Sequence, residues 1–146
     1  MYSLIARDAE SSIFPICRSE EVAVSTYSPL AAGLLSGTML QNSQSARSGS
    51  RFYTTPHYMD LYYTERNFKV VELLRGKATE LGLPMTRLAM AWVLSNTDVT
   101  AMLVGADTPE QLDEAIAAYL MEFDPAVFEE MSAWGGGELA PFSFPK

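Results

Sequence analysis

Residues 22–37 read VAVSTYSPLAAGLLSG, and the order of residue types in that run decides how the rest of the chain is read. The β-branched segment Val22-Ala23-Val24 leads into Ser25 to Ser28, and residues 22–28 have the composition of a buried strand. The run ends at Tyr27-Ser28-Pro29, followed by Leu30, Ala31, Ala32 and Gly33. Small residues and a glycine beyond a strand let backbone N–H groups approach an anion closely. A tyrosine at the strand tip can offer its face to a planar ring, and Ser28 adds a hydroxyl. An ordinary strand-to-loop turn with a core tyrosine has the same composition, so these residues alone leave both readings open.

A second run repeats the arrangement. Residues 99–104, VTAMLV, read as a short buried strand that Gly105 ends. Thr108-Pro109-Glu110-Gln111 then opens a helix, with Thr108 as N-cap, Pro109 at the first helical position and Gln111 completing a capping box. The free N–H groups of a helix N-terminus favour an anion. Asp107 acts against that by placing a negative charge beside it, and a plain helix cap accounts for the same residues.

Outward from these two strands the pattern is mostly helical. Residues 8–20 form a short helix capped by Asp8 or Ser11, with Pro15 confined to its first turn and Ile13, Phe14 and Cys17 on one face. In 65–82, Phe68, Val71, Leu74, Ala78 and Leu81 share a face before Gly82 stops the helix. Residues 85–97 form a helix capped by Thr86, with Leu88, Ala89, Trp92 and Val93 as its apolar stripe. Asp124 and Pro125 start a last helix over 124–133. Residues 38–64 keep no period and read as a long surface loop, while a third strand is expected at Tyr2–Ala6. Strands alternating with helices predict an α/β fold with a parallel sheet.

Hydrophobic residues make up 48% of the 146 and charged residues 19%, enough for one globular domain with its own core. A net charge of −8, with ten Lys and Arg scattered along the chain, argues against nucleic-acid binding. No apolar run reaches the ~18–20 residues of a membrane span, and MYSLIARDAE does not read as a secretory leader. The single cysteine, Cys17, leaves no internal disulfide. It reads as a packed small hydrophobe in a reducing, cytoplasmic compartment.

Four stretches, in order, resemble the C-terminal part of an aldo-keto reductase. Tyr2 to Glu10 is similar to the family's sixth strand and the turn after it. Tyr27 to Gly37 resembles the cofactor loop after strand seven. Leu88 to Asn96 resembles the penultimate helix, and Gly105 to Glu114 the loop after strand eight and the start of the last barrel helix. The resemblance implies a partial (β/α)8 TIM barrel over residues 1–134, with a flexible tail over 135–146. It implies a nicotinamide dinucleotide cofactor, NADP or NAD, and reduction of small-molecule carbonyl substrates. By the same analogy Tyr27 stacks on the nicotinamide. Ser28, Pro29, Leu30, Ala31 and Gly33 line the pyrophosphate. Gly105, Asp107, Gln111 and Glu114 lie at the adenosine end. Arg51 matches an arginine used on the 2′-phosphate or adenine side.

The chain departs from the family pattern where Thr38 replaces a lysine, Asp107 a Ser or Thr, and Glu114-Ala115 a Glu-Asn pair. Those changes remove a cation, add an anion and remove an amide, leaving NAD and NADP both open. The family's catalytic Asp, Tyr, Lys and His lie on earlier strands that these 146 residues do not contain, so no catalytic residue is assigned and no turnover is expected of this chain alone. His57, the only histidine, reads as a solvent-facing loop residue. The competing expectation is a non-catalytic scaffold that covers exposed sheet edges by forming a homo-oligomer.

Overall fold

The computed structural model describes residues 1–38 and 50–135. Its sheet has two parallel strands, β1 (Ser25–Tyr27) and β2 (Ala101–Leu103), with Tyr27 beside Leu103. The ladder is extended on one side by Thr100 and Ala101, whose N–H groups both reach the carbonyl of Val24. Parallel pairing is the expected arrangement, but each strand is shorter than the apolar run that predicts it. The strands are also not fully buried. Thr26 is buried while Ser25, Tyr27, Ala101 and Leu103 are exposed. Helices cover one face of the sheet, so alternate residues on the other face meet solvent.

Tyr2–Ala6 is not a third strand. It folds back on itself through an antiparallel bridge between Ser3 and Ala6, and only the N–H of Tyr2 reaches β1, at the carbonyl of Tyr27. All five residues are buried.

Helix α1 spans Ala9–Ser19 with Pro15 in its middle, contrary to the first-turn expectation. Asp8 has helical dihedrals and makes no cap hydrogen bond, and Ser11 lies inside the helix and donates to the carbonyl of Asp8. Of the expected apolar face only Phe14 is buried, and Ile13 is 56% exposed. A helix that buries one residue tolerates the bond Pro15 removes, because water can satisfy the released carbonyl.

Residues 50–62 are not structureless. Ser50 caps α2 (Arg51–Thr54) by accepting from the N–H of Tyr53, and α3 (His57–Tyr62) follows. Their aromatic residues supply the reason: Phe52, Leu61 and Tyr62 are buried, and Tyr58 stacks on Tyr62 at 6.0 Å. The remainder of the expected loop, residues 39–49, lies outside the described residues.

Helix α4 (Glu65–Leu81) matches its expected boundaries. Thr64 caps it, and Gly82 ends it at φ +65°, a conformation suited to glycine. Helix α5 (Met85–Leu94) begins after Pro84, and Thr86 does not cap it. Leu88 through Val93 are all buried, so α5 is the central helix of the core rather than one with a single apolar stripe. It packs against α4, β2 and α6 (Pro109–Leu120). Helix α7 (Pro125–Trp134) starts where Asp124 accepts from the N–H of Ala126, as expected.

At the centre, the ring of Trp92 stacks on Tyr2 at 5.4 Å and Phe128 at 5.8 Å. Its Nε1 donates to Ser132 Oγ, and Arg7 lies 5.2 Å above the ring. Arg7 is held in place by both carboxylate oxygens of Glu10 and by the carbonyls of Ser132 and Gly135. Gly135 is itself buried. The rest of the expected C-terminal tail, 136–146, lies outside the described residues.

Candidate functional site

Beyond the carboxyl ends of β1 and β2 lies a cleft of about 790 Å³. This is the position at which parallel α/β folds bind ligands. It lies within the roughly 300–1,000 Å³ range of small-molecule and cofactor sites. Its walls come from the loop after β1, the start of α2, the loop after β2 and the first turns of α6.

The loop after β1 has a backbone that the sequence barely announces. Ser28, Ala31 and Ala32 have φ of +60°, +48° and +57°, and Gly33 and Gly37 follow at +98° and +74°. A left-handed residue other than glycine costs about 1–2 kcal/mol, so three of them in five residues need support from their surroundings. That support is visible. Ala31, Leu34 and Leu35 are completely buried. The N–H of Ala31 bonds the carbonyl of Ser28, and those of Gly33 and Leu35 both bond the carbonyl of Leu30. Gly37 lies so close to α5 that an added Cβ would stand 2.5 Å from Met85 Sδ. The turn over Ala31–Ser36 is a short 3-10 segment broken at Ala32 and Gly33.

Tyr27 is 49% exposed at the rim, with Ser28, Pro29, Leu30 and Gly33 beside it. Across the cleft stand Gly105, Asp107, Gln111 and Glu114, and Arg51 enters from α2. Among the residues singled out from the sequence, Ala31 alone lies outside the lining. Its fully buried side chain anchors the loop from behind. Arg51 has no ion-pair partner among the described residues. Sequence reasoning missed Ser36, Thr86, Met90 and Leu103 as lining residues. Thr86 and Met90 lie one turn apart on α5, which is helical spacing. Their signal was hidden because Leu88 through Val93 are apolar and buried on successive faces of α5.

The α6 side is dominated by acceptors. Arg87 grips Glu114 with two hydrogen bonds of 3.0 and 2.8 Å, and that pairing raises the arginine's pKa above its ordinary value. The backbone N–H of Glu110 and the Thr108 hydroxyl hold the Glu110 carboxyl below the usual range. Thr108 Oγ1 accepts from the N–H of Gln111 at 3.4 Å, as a cap should. The reciprocal bond differs from the expected capping box. Gln111 Oε1 accepts from the N–H of Asp107 at 2.8 Å, one residue before the cap.

Comparison with known proteins gives the family of this chain. The Aldo/keto reductase family model matches residues 1–134, and the chain belongs to that family. It is 33% identical over 131 residues to an uncharacterized oxidoreductase, YrpG, of Bacillus subtilis, covering 90% of this chain and 37% of that protein. It is 31% identical over 137 residues to an NADH-specific methylglyoxal reductase of Escherichia coli, covering 90% of this chain and 40% of that protein. An L-glyceraldehyde 3-phosphate reductase of Escherichia coli is 32% identical over 123 residues, covering 80% of this chain and 34% of its own length. The chain thus spans about two fifths or less of the curated relatives it matches. Among the described residues, no helix is long and apolar enough to cross a membrane.

Proposed function

We propose that this chain is the cofactor-binding portion of a nicotinamide-dependent carbonyl reductase, built as the C-terminal strands and helices of a (β/α)8 barrel over residues 1–134. The observation that carries this reading is the cleft. It gathers Tyr27, Ser28, Gly33, Arg51, Gly105 and Gln111 from four separate segments at the carboxyl ends of two parallel strands. The strained loop supports it, since backbone strain kept in place by a buried anchor is a common feature of ligand clamps.

The residues present fit a dinucleotide. The half-exposed ring of Tyr27 offers a face for the nicotinamide. Ser28, Pro29, Leu30 and Gly33 let the chain come close to a pyrophosphate, Ala31 holds the loop behind them, and Arg51, which has no ion-pair partner among the described residues, supplies a cation at the 2′-phosphate or adenine side. Gly105, Asp107, Gln111 and Glu114 form the adenosine end. The cofactor supplies hydride chemistry when bound. This chain's residues would bind and orient it and keep water from one side. A small aldehyde or ketone is the substrate class, consistent with the relatives named for methylglyoxal and glyceraldehyde 3-phosphate. The location is a cytoplasmic one.

The test is titration of the purified chain with NADH and NADPH, followed through tyrosine and tryptophan emission. Saturable binding that Tyr27→Ala weakens at least tenfold supports the reading. No binding of either at millimolar concentration refutes it.

A second reading, a self-associating scaffold, draws on the exposed sheet face, where Tyr27 and Leu103 are 49% and 62% accessible. It predicts a dimer or larger species in sedimentation velocity at micromolar concentration, and a monomer contradicts it.

A further inference from the structure

We propose that Arg75, on α4 and outside the cleft, is a positioning residue for ligand binding: it holds the far end of the loop after β1 at Gly37 and so keeps that wall in its binding shape. This rests on the reading of the cleft as a dinucleotide site and goes beyond it by assigning a role to a residue behind the site.

The loop's own hydrogen bonds set its shape. The N–H of Gly33 and that of Leu35 reach the carbonyl of Leu30, that of Gly37 reaches Leu34, and Ser36 Oγ donates to the carbonyl of Gly33 at 2.7 Å. All of these close within the loop, so its placement depends on contacts with other elements. For residues 31–35 the buried side chains of Ala31, Leu34 and Leu35 supply them. Beyond Leu35 that support ends, because Ser36 and Gly37 are half-buried and Thr38 is exposed.

Gly37 is where two helices take over. It sits at φ +74°, and an added Cβ would stand 2.5 Å from Met85 Sδ on α5 and 3.5 Å from Arg75 Nη1 on α4. Arg75 Nη2 donates to the carbonyl of Gly37 at 3.3 Å, across 38 residues of chain. Arg75 Nε lies 3.5 Å from Glu72 Oε2, one turn earlier on α4, which orients the guanidinium. Ser36 and Thr38 line the cleft on either side of Gly37, whereas Gly37, Arg75 and Met85 do not. The backbone here therefore has the cleft on one side and this latch on the other. Arg75 cannot act by touching a ligand in the cleft.

The latch matters because of what it restrains. A loop with left-handed Ser28, Ala31 and Ala32 keeps its shape only while its surroundings hold it. Release of one end lets it sample other conformations, and affinity falls by the fraction of molecules that remain competent. The Arg75 side chain is 43% exposed, so its bonds add little to global stability. Binding and stability should separate.

Calorimetric titration of the full chain with NADH, beside amide hydrogen exchange without ligand, tests this. Arg75→Gln should weaken NADH binding at least fivefold, by the same factor at about 50 mM and about 300 mM salt. Exchange at Gly33, Leu35 and Gly37 should quicken while that of Leu88–Val93 on α5 stays unchanged. Arg75→Lys, which keeps a donor, should bind NADH within twofold of the unaltered chain. Unchanged affinity in Arg75→Gln overturns the proposal and leaves the dinucleotide site standing. So does a loss that disappears at the higher salt, which is the signature of a missing charge alone, or a loss equally large in Arg75→Lys. Faster exchange throughout α5 also overturns it, as general destabilisation. No NADH binding by the unaltered chain removes the dinucleotide reading and this inference together.

Discussion

Replacing Gly33 with alanine isolates the backbone term of the loop that forms one wall of the cleft. Gly33 sits at φ +98°, and a Cβ added there meets nothing within 4 Å. A steric clash is therefore excluded, and only the left-handed backbone opposes the substitution. That opposition is worth about 1–2 kcal/mol for an L residue. Alanine also restricts the unfolded chain, which returns about 0.4–1 kcal/mol. The net expectation is a loss of about 0.5–1.5 kcal/mol. Gly76 is the internal control. It lies exposed in the middle of α4, with open space around it and no positive φ. Gly76→Ala should stabilise the chain by about 0.5–1 kcal/mol. Urea unfolding reads both. With a slope of about 1–3 kcal/mol/M, a loss of 1 kcal/mol moves the midpoint down by about 0.3–1 M. The two variants should move it in opposite directions with unchanged slopes. A Gly33→Ala midpoint at or above that of the parent chain would refute the left-handed geometry assigned to this wall.

Other perturbations probe the rest of the molecule. An added Cβ on Gly135 would run into the backbone carbonyl of Leu4, which cannot rotate away, so Gly135→Ala should lower stability by about 1–3 kcal/mol in the same urea assay. Arg87→Gln removes a partly exposed pair and should cost under about 1 kcal/mol of stability. Burial first, then the Glu10 carboxylate, raises the pKa of Tyr2, and burial raises that of Tyr62. Both phenols remain protonated in the folded chain at a pH where the unfolded chain has lost its protons. Stability should therefore be flat below about pH 10 and fall above it, measured by thermal melts between pH 8 and 11. Tyr2→Phe and Tyr62→Phe should each flatten that fall.

The parts of the fold legible in the sequence are those fixed by local chemistry. Gly82 ends α4, Thr108-Pro109 opens α6, and Asp124-Pro125 opens α7, each within a residue of expectation. What failed depends on neighbours distant in sequence. The strands at 22–28 and 99–104 shrink to three residues each because a two-stranded sheet covers one face only. Residues 50–62 looked irregular, yet Phe52, Leu61 and Tyr62 find a core no periodicity could announce. Pro15 sits mid-helix because α1 is held by little more than Phe14. At the cleft, residue types at the strand ends were readable. The left-handed Ser28, Ala31 and Ala32 were not, since alanine carries no signal for positive φ. Nor was the Arg87–Glu114 clamp, whose partners lie 27 residues apart on different helices.

The most direct test of the central claim is a backbone amide NMR titration of the chain with NADH. The account predicts saturable shifts concentrated at Tyr27–Ser36 and Gly105–Glu114, with small changes along α1 and α7. Shifts confined to other surfaces, or none at millimolar cofactor, would contradict a dinucleotide site at the ends of these two strands.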